Sequence, residues 1–270
     1  MCYDISYKIT LESMDEYFGG LVWDDPQIEI EFMPTDHMQG VALFAKHPIV
    51  YENREDNKLH SKMMEWGILR FFEKTEPAPM NRNKMLNIRS ERILDDPKSY
   101  WNKIRNRRCA IPVSLTYEHR AIVGWKKKVP YAIRPKDQTI FALPGLYSVA
   151  EIVDPKTGEL VKRWTFGLIT RKANALMVNI HNDGENRHRM PLFLPADMLK
   201  EFLSNNLSDE RYRQLLAYEM PPEELDYWPV YTIRSSKPRP DGLDKTAYYE
   251  WPKLPPLGEG NPPMPEEMEM

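Results

Sequence analysis

The sequence predicts one α+β domain with a mostly antiparallel sheet and flanking helices. Three observations predict it. Apolar runs meet in pairs across turn-forming residues, 131–134 with 139–143 across Pro135-Lys136-Asp137, and 145–153 with 160–170 across Asp154-Pro155-Lys156-Thr157-Gly158. Amphipathic helical stretches stand apart from these runs, at 11–18, 97–104, 195–203 and 208–218. Neither a linker nor an internal repeat interrupts residues 2–249, so a single domain is expected over residues 1–250. Residues 251–270 are rich in Pro, Gly and Glu without an apolar period, and are expected to be a disordered tail.

Composition narrows the function classes. The chain is 41% hydrophobic, enough for a sizeable core, and its net charge is -3. That excludes a generally basic nucleic-acid binder, so any nucleic-acid site must be a local patch. No run approaches the length of an apolar membrane span, and a membrane partner is not expected. The start, Met1-Cys2-Tyr3-Asp4, has neither the basic nor the apolar stretch of a secretory signal. Cys2 and Cys109 make a poor disulfide framework, so a cytoplasmic, reducing compartment is the simpler expectation. The scattered histidines show no ligand spacing, and neither metal nor cofactor is expected.

Taken in order, residues 3–10 alternate weakly and predict a strand with Ile5, Tyr7 and Ile9 on one face. That strand would hold Cys2 at a sheet edge. Residues 11–18 predict a helix stopped by Gly19-Gly20. Strands are expected at 29–32 and 41–45, around a turn at Pro34-Thr35-Asp36, and again at 49–52. Residues 63–69 form an apolar strand with a Trp66-Gly67 step, where glycine permits close backbone approach. Phe71 and Phe72 precede a Pro-rich loop, and exposed aromatics there can wedge against bases.

Asn87 and Arg89 stand two apart and share a face if extended. An amide beside a guanidinium can bind a phosphate or orient a carbonyl. Asp96-Pro97 supplies an N-cap and an N1 proline for a helix with Tyr100, Trp101 and Ile104 inward. The basic end of that helix, Arg105-Asn106-Arg107-Arg108, complements the helix dipole and is also a candidate phosphate contact. Cys109 lies in a short apolar run and reads as a buried, inert thiol.

Residues 113–119 predict a strand with Ser114, Thr116 and Glu118 on one side. Glu118 would be a lone carboxylate at an apolar strand's end, where partial burial suits a carboxyl to proton transfer. Trp125-Lys126-Lys127-Lys128 can line a phosphate groove or tip a solvated hairpin. A helical turn at 174–180 ends in a polar loop that carries His181 and His188, before an apolar strand at 192–194. Ser208 is a natural N-cap for the last helix, and 228–231 a late strand.

Position 2 carries distinctive chemistry. Methionine is normally trimmed when the next side chain is small, which would leave Cys2 with an α-amine and a thiol on adjacent carbons. An aldehyde can condense with the amine, and the thiol can then close a thiazolidine ring, an intramolecular step with a high effective concentration. An α-amine with a pKa near ~8 is partly free base at neutral pH.

Several motifs then fall in one order: Met1-Cys2, the Trp66-Gly67 strand, Asn87-Ile88-Arg89-Ser90-Glu91, Arg107-Arg108-Cys109-Ala110-Ile111-Pro112, Tyr117-Glu118, Leu143-Pro144-Gly145-Leu146-Tyr147, and a histidine followed by Arg189-Met190-Pro191. In this order the chain resembles the SRAP family, named for SOS response-associated peptidase, over nearly its whole length. The resemblance implies a β-barrel-like core with a positively charged cleft. It implies recognition of abasic sites in single-stranded DNA, in the DNA damage response, and a thiazolidine crosslink from the N-terminal cysteine to the opened sugar. By position, Cys2 would be the nucleophile, Asn87 would position it or the sugar, and Glu118 would be the acid/base residue. His181 would assist sugar ring opening and crosslink reversal. Met1 would be removed autocatalytically.

The resemblance further implies a monomer, nucleoid-associated when bound to DNA. Bases would stack on Trp66, Phe71 or Phe72, and phosphates would meet Arg89, Lys126 and Arg189. Departures from the family pattern are also visible. Tyr3-Asp4 stands where Gly-Arg is usual, so Asp4 would repel phosphate, and Glu31-Phe32-Met33-Pro34 replaces Asn-x-Ala-Pro. His119 follows Glu118 where tryptophan is common, and an insertion lets His188 compete with His181. His181 is favoured because Ile180-His181-Asn182 ends the preceding helix as the family's histidine does. Two rival readings are a cysteine-dependent peptidase or amidohydrolase with Cys2 as N-terminal nucleophile, and a non-catalytic single-stranded DNA binder.

Overall fold

The computed structural model describes residues 2–41 and 43–263. Among them the strands are β1 (Asp4–Tyr7), β2 (Val22–Trp23), β3 (Thr35–Gln39), β4 (Lys46–Glu52), β5 (Leu59–Trp66), β6 (Asn87–Arg89), β7 (Arg108–Val113), β8 (Leu115–Arg120), β9 (Val129–Pro135), β10 (Phe141–Val153), β11 (Leu160–Lys172), β12 (Arg189–Pro191) and β13 (Leu225–Pro229). The α-helices are α1 (Leu11–Phe18), α2 (Ile28–Glu31), α3 (Pro79–Asn83), α4 (Tyr100–Lys103), α5 (Met177–Ile180), α6 (Ala196–Leu203) and α7 (Asp209–Ala217).

Five strands close a barrel. β11, β10, β7, β4 and β5 pair antiparallel in that order, and β5 returns to β11 in parallel, with Thr165 opposite Glu65 and Phe166 opposite Trp66. Closure removes the exposed edges that an open sheet would present. Alternate residues of these strands enter two different cores. Ile49, Met64, Trp66, Ile111, Leu143 and Phe166 pack in one, whereas Val50, Met63, Ala110 and Ala142 pack in the other with Met14 of α1, Phe202 of α6 and Leu215 of α7. Both strand faces are therefore buried through the middle of the barrel, whereas β10 and β11 run out to exposed Glu151 and Lys162 at their hairpin end. Each large side chain so buried contributes about 1.5–3 kcal/mol.

A second, antiparallel sheet runs β13-β9-β8-β1-β3. β1 is thus an interior strand that begins two residues after Cys2, with Asp4 opposite both Gln39 of β3 and Tyr117 of β8. Parallel pairing of β6 with β11 sets Asn87 opposite Leu168, beside the barrel. These two placements bring the chain start and the Asn87 segment together.

Several local expectations hold for their stated reasons. Thr10 caps α1 in a reciprocal capping box with Ser13, and Gly19 ends the helix at φ 76°. Ser208 accepts from the backbone N–H of Arg211 at the start of α7. β10 and β11 form the expected long hairpin. Gly67 sits at φ 113°, where a Cβ would lie 2.9 Å from the Phe44 ring.

Others are corrected. Residues 28–31 are helical because Ile28 and Phe32, four apart, are the buried pair, while Ile30 is 79% exposed. Thr35 and Asp36, expected in a turn with Pro34, open a strand, Thr35–Gln39, because β1 supplies its ladder partners. The expected strand at 41–45 is absent among its described residues. β9 and β10 do not form a hairpin. β9 is taken by β8 and β13, and β10 by β7 and β11, so residues 135–140 cross between sheets. Ser99, not Asp96, caps α4, and the late strands lie at Arg189–Pro191 and Leu225–Pro229 rather than 192–194 and 228–231.

The tail expectation also fails over residues 251–263. The indole N–H of Trp251 donates to the Val230 carbonyl at 3.0 Å, and its ring stacks on Tyr231. The fully buried guanidinium of Arg120 donates to the carbonyls of Pro255, Pro256 and Glu259 at 2.6–3.0 Å. Composition missed this because the anchors are backbone carbonyls, which any sequence supplies. Residues 264–270 lie outside the described residues.

His47 shows the cost of a buried titratable ring. It is 1% exposed, packs on Tyr7 with ring centroids 3.5 Å apart, and donates from Nε2 to the Pro112 carbonyl at 3.1 Å. Burial pushes its pKa down to about 3. The unfolded ring, near ~6.5, binds a proton first as pH falls, so stability is present above that value and lost progressively toward pH 3. His47→Gln should therefore flatten the loss of urea-unfolding free energy between pH 6.5 and 4.5 by about 2 kcal/mol. An unchanged slope would show that His47 does not carry it.

Candidate active site

The start of the chain is held from two sides. The side-chain amide of Asn87 donates to the Cys2 carbonyl at 2.9 Å, tying β6 to the residue before Tyr3. On the other side β8 pairs with β1, and the residue after Tyr117 is Glu118, 3% exposed. Cys2 is fully buried, with Sγ 3.5 Å from the Asp4 carbonyl. Burial, followed by the nearby Glu118 and Asp4 carboxylates, pushes the Cys2 thiol well above its ordinary value, so it is protonated at neutral pH.

His181 follows α5 and is 8% exposed. Its Nδ1 lies 2.8 Å from the Arg189 carbonyl, which can only accept, so Nδ1 carries the hydrogen of the neutral ring. Nε2 then faces Glu118, 3.9 Å from Oε2. Burial pushes the imidazole pKa down, against the pull of the Glu118 carboxylate. The Glu118 Oε1 and the Asn87 Oδ1 are buried acceptors without a hydrogen-bond partner among the described residues. Native proteins pair most buried acceptors, so each of these two has room for a donor from a ligand or a water.

Two cavities meet at this point. One, of about 540 Å³, is lined by Tyr3, Asp4, Glu118, His181, Lys127, Lys128 and Arg234 among others. The other, of about 630 Å³, includes Tyr3, Arg70, Lys84, Asn87, Arg89 and Arg92. Tyr3, Glu185 and Asn186 line both. Arg89 is exposed and its Nη2 donates to the neutral Asn186 amide oxygen at 3.1 Å, so its charge stays available to the groove.

Of the residues expected at the site, Cys2, Asn87, Glu118, His181 and Arg89 are brought together. His188 is not beside Glu118. It is a turn residue at φ 58°, whose N–H donates to the His181 carbonyl at 2.8 Å. Trp66 is fully buried and donates from its indole to the Leu86 carbonyl, so it offers no face to a base. Arg189 is buried and forms a two-pronged pair with Glu91, both bonds at 2.9 Å, so it braces the barrel rather than meeting DNA. Lys126 is exposed but does not line either cavity, where Lys127 and Lys128 stand instead. Phe71 and Phe72 are exposed, at 42% and 51%, and pack edge to face.

Asp4 does not repel anions as expected. It is 1% exposed and accepts two bonds from Arg234, at 3.0 and 2.6 Å, and one from His37 at 2.7 Å. Burial alone would push its carboxyl up, but these partners outweigh it and hold it below the usual carboxylate range. Arg234 and His37 carry no periodic or motif signal, so sequence reasoning passed over them. The polar loop between His181 and Arg189 supplies Asp183, Glu185 and Asn186 to the cavity walls, and an insertion of that kind was the one available hint.

Among the described residues no three His, Cys, Asp or Glu side chains could hold a metal ion, and no helix is long and apolar enough to cross a membrane. Met1, whose removal is at issue, lies outside the described residues.

Fold and site define a class: a closed-barrel α+β protein whose second residue is a cysteine gathered with an amide, a carboxylate and an imidazole. Comparison with known proteins makes this specific. The SOS response associated peptidase (SRAP) family matches over residues 1–234, and the chain belongs to that family. Two Bacillus subtilis proteins, the abasic site processing proteins YoqW and YobE, are 30% and 29% identical over 173 residues, 64% of this chain and 70% and 72% of theirs. A solved Bacteroides thetaiotaomicron protein superposes with a TM-score of 0.71 at 26% identity, covering 85% of this chain and 92% of its own. A Bordetella bronchiseptica protein shares the fold at a TM-score of 0.61 and 16% identity, over 86% of this chain and all of its own.

The Asp4 cluster gives a direct check on the site's electrostatics. Arg234→Gln should destabilise the protein by about 2 kcal/mol, because it strips a buried carboxylate of its two guanidinium hydrogen bonds. Adding Asp4→Asn should recover part of that loss in urea titrations. Additive losses would show that the pair is not coupled.

Proposed function

We propose that this protein processes abasic sites in single-stranded DNA by forming a covalent thiazolidine through Cys2. The observation that carries the reading is convergence. One hydrogen bond from Asn87 fixes the backbone of the buried Cys2 next to Tyr3, which lines the cavity where Glu118 and His181 face each other at 3.9 Å. The names of the two Bacillus subtilis relatives support abasic sites as the substrate class.

In this mechanism Met1 is first hydrolysed from the chain, one water entering as the peptide bond breaks. The freed α-amine of Cys2 attacks C1′ of the ring-opened sugar aldehyde and forms a carbinolamine. The Glu118 carboxyl relays a proton to the departing hydroxyl as the imine forms, and one water leaves. The Cys2 sulfur then adds to the imine carbon while its proton passes to the nitrogen through the Glu118 carboxylate. No oxidant or reductant is needed, and the net loss is one water. His181, neutral because of its burial, uses Nε2 to accept the C1′ hydroxyl proton as the sugar ring opens. Asn87 keeps the Cys2 backbone from turning away.

The high pKa of the thiol bears on the rival hydrolase reading. Reactive cysteine nucleophiles normally sit where the thiolate is favoured, and here burial and two carboxylates oppose it. An amine-first route needs no thiolate at the outset. Phosphates would lie along Arg89, Lys84 and Lys127, in the two joined cavities, as a local cationic track on an otherwise acidic chain. Phe71 and Phe72 are the exposed aromatics beside it.

Incubation with a single-stranded oligonucleotide carrying one abasic site should give a heat-stable adduct on denaturing gels. Cys2→Ala should abolish the adduct yet keep salt-sensitive binding. Glu118→Gln should slow adduct formation about 10²-fold, the usual worth of a positioned acid/base group. Adduct formation by Cys2→Ala at the wild-type rate would refute Cys2 as the nucleophile.

A further inference from the structure

The basic run Arg105–Arg108 is only partly absorbed by this account. Arg108 is buried and structural, donating to the carbonyls of Phe202 and Ser204. Arg107 is different. It lines a separate cavity of about 460 Å³ with Arg54, Phe71, Tyr147, Glu151, Lys162 and Trp164. Among the described residues no carboxylate forms an ion pair with Arg54, Arg107 or Lys162, and the buried Nη1 of Arg107 has no hydrogen-bond partner. Glu151 lies 3.7 Å from Lys74 instead.

Beside these cations stands an aromatic floor. Tyr147 and Trp164, on paired strands β10 and β11, stack with ring centroids 5.6 Å apart and planes 20° from parallel. Both are part-exposed. Lys62 and Lys162 flank the indole at 5.5 and 5.7 Å from a ring centroid. The floor continues toward the site already described. Phe71 belongs to this cavity, its neighbour Arg70 to the 630 Å³ cavity, and Tyr100, which lines the latter, packs 5.6 Å from Phe71.

We infer that the Arg54–Arg107–Lys162 cluster over Trp164 and Tyr147 is a second nucleic-acid subsite, which takes the phosphates and a stacked base of the single strand beyond the Phe71–Tyr100 ridge. Arg54 donates to the Asn106 carbonyl at 3.1 Å, which leaves its charge uncompensated; guanidinium and ammonium groups without a carboxylate partner supply sequence-independent phosphate contacts, and a flat aromatic pair supplies a stacking surface that accepts any base. The subsite would lengthen the footprint on the strand without touching the reacting sugar. It rests on the reading that the neighbouring groove holds single-stranded DNA, and its test does not depend on crosslinking.

The test is fluorescence anisotropy with unmodified, labelled oligothymidylates. One is about 4 nucleotides long, enough for the groove at Cys2, and one about 12, enough to cross the ridge. Arg54→Gln with Arg107→Gln should weaken the long oligonucleotide roughly tenfold. It should also lower the slope of log affinity against log salt by about 1.4, two phosphates' worth on a single strand. Trp164→Leu should weaken the long oligonucleotide at least fivefold, as the loss of one stacked base does. Lys162→Gln, at an exposed position, is the variant least able to disturb folding and should act in the same direction. The short oligonucleotide should bind all variants as it binds wild type. Unchanged affinity for the long strand, or an equal loss for both lengths, would overturn the subsite. If Arg107 governs binding of long strands while no abasic adduct forms at all, the subsite stands and the crosslinking reading falls.

Discussion

The hydrogen bond from the Asn87 amide to the Cys2 carbonyl joins the two sheets at the start of the chain. Asn87 belongs to a short strand laid parallel to β11 of the barrel, and Cys2 leads into the centre of the other sheet. Neither sheet alone would fix the first residues. Residues near a chain end normally fray, but here a central strand follows Cys2 and the buried Asn87 amide holds its carbonyl. The placement of the Cys2 backbone beside its own thiol follows from that bond.

Charge is arranged around the same point so that little of it is left uncompensated. Asp4 is sealed by Arg234 and His37, and Arg189 by Glu91. Glu118 is the carboxylate left facing an imidazole rather than a guanidinium. The C-terminal segment has a part in this. Arg120, two residues beyond Glu118 on β8, clamps the carbonyls of residues 255, 256 and 259, and Asn261 meets Asn182 beside His181. Residues beyond the family match thus brace both the carboxylate strand and the histidine loop.

Much of this was legible in the sequence, and the failures have physical causes. α1, α7 and the β10–β11 hairpin carried local signals, namely caps and a turn that need no distant partner. The strand at Thr35–Gln39 and the separation of β9 from β10 did not, because sheet pairing is decided by partners far along the chain. Cys2, Asn87, Glu118 and His181 were singled out through ordered motifs, not through composition. Trp66 and Arg189 were misassigned to DNA for one reason. An aromatic or a guanidinium can face solvent or be satisfied internally, and only the fold shows the Leu86 carbonyl and the Glu91 carboxylate waiting for them. Lys126 missed the cavity while Lys127 and Lys128 reached it, a choice no charge run can specify.

The most direct measurement of the central claim is the mass and connectivity of the adduct itself. After digestion of protein and DNA, the account predicts a modified peptide that begins at Cys2, heavier by the abasic residue less one water. Its sulfur should no longer alkylate, and borohydride should not change its mass. An adduct on a lysine, an adduct reducible by borohydride, or one that retains Met1 would contradict it.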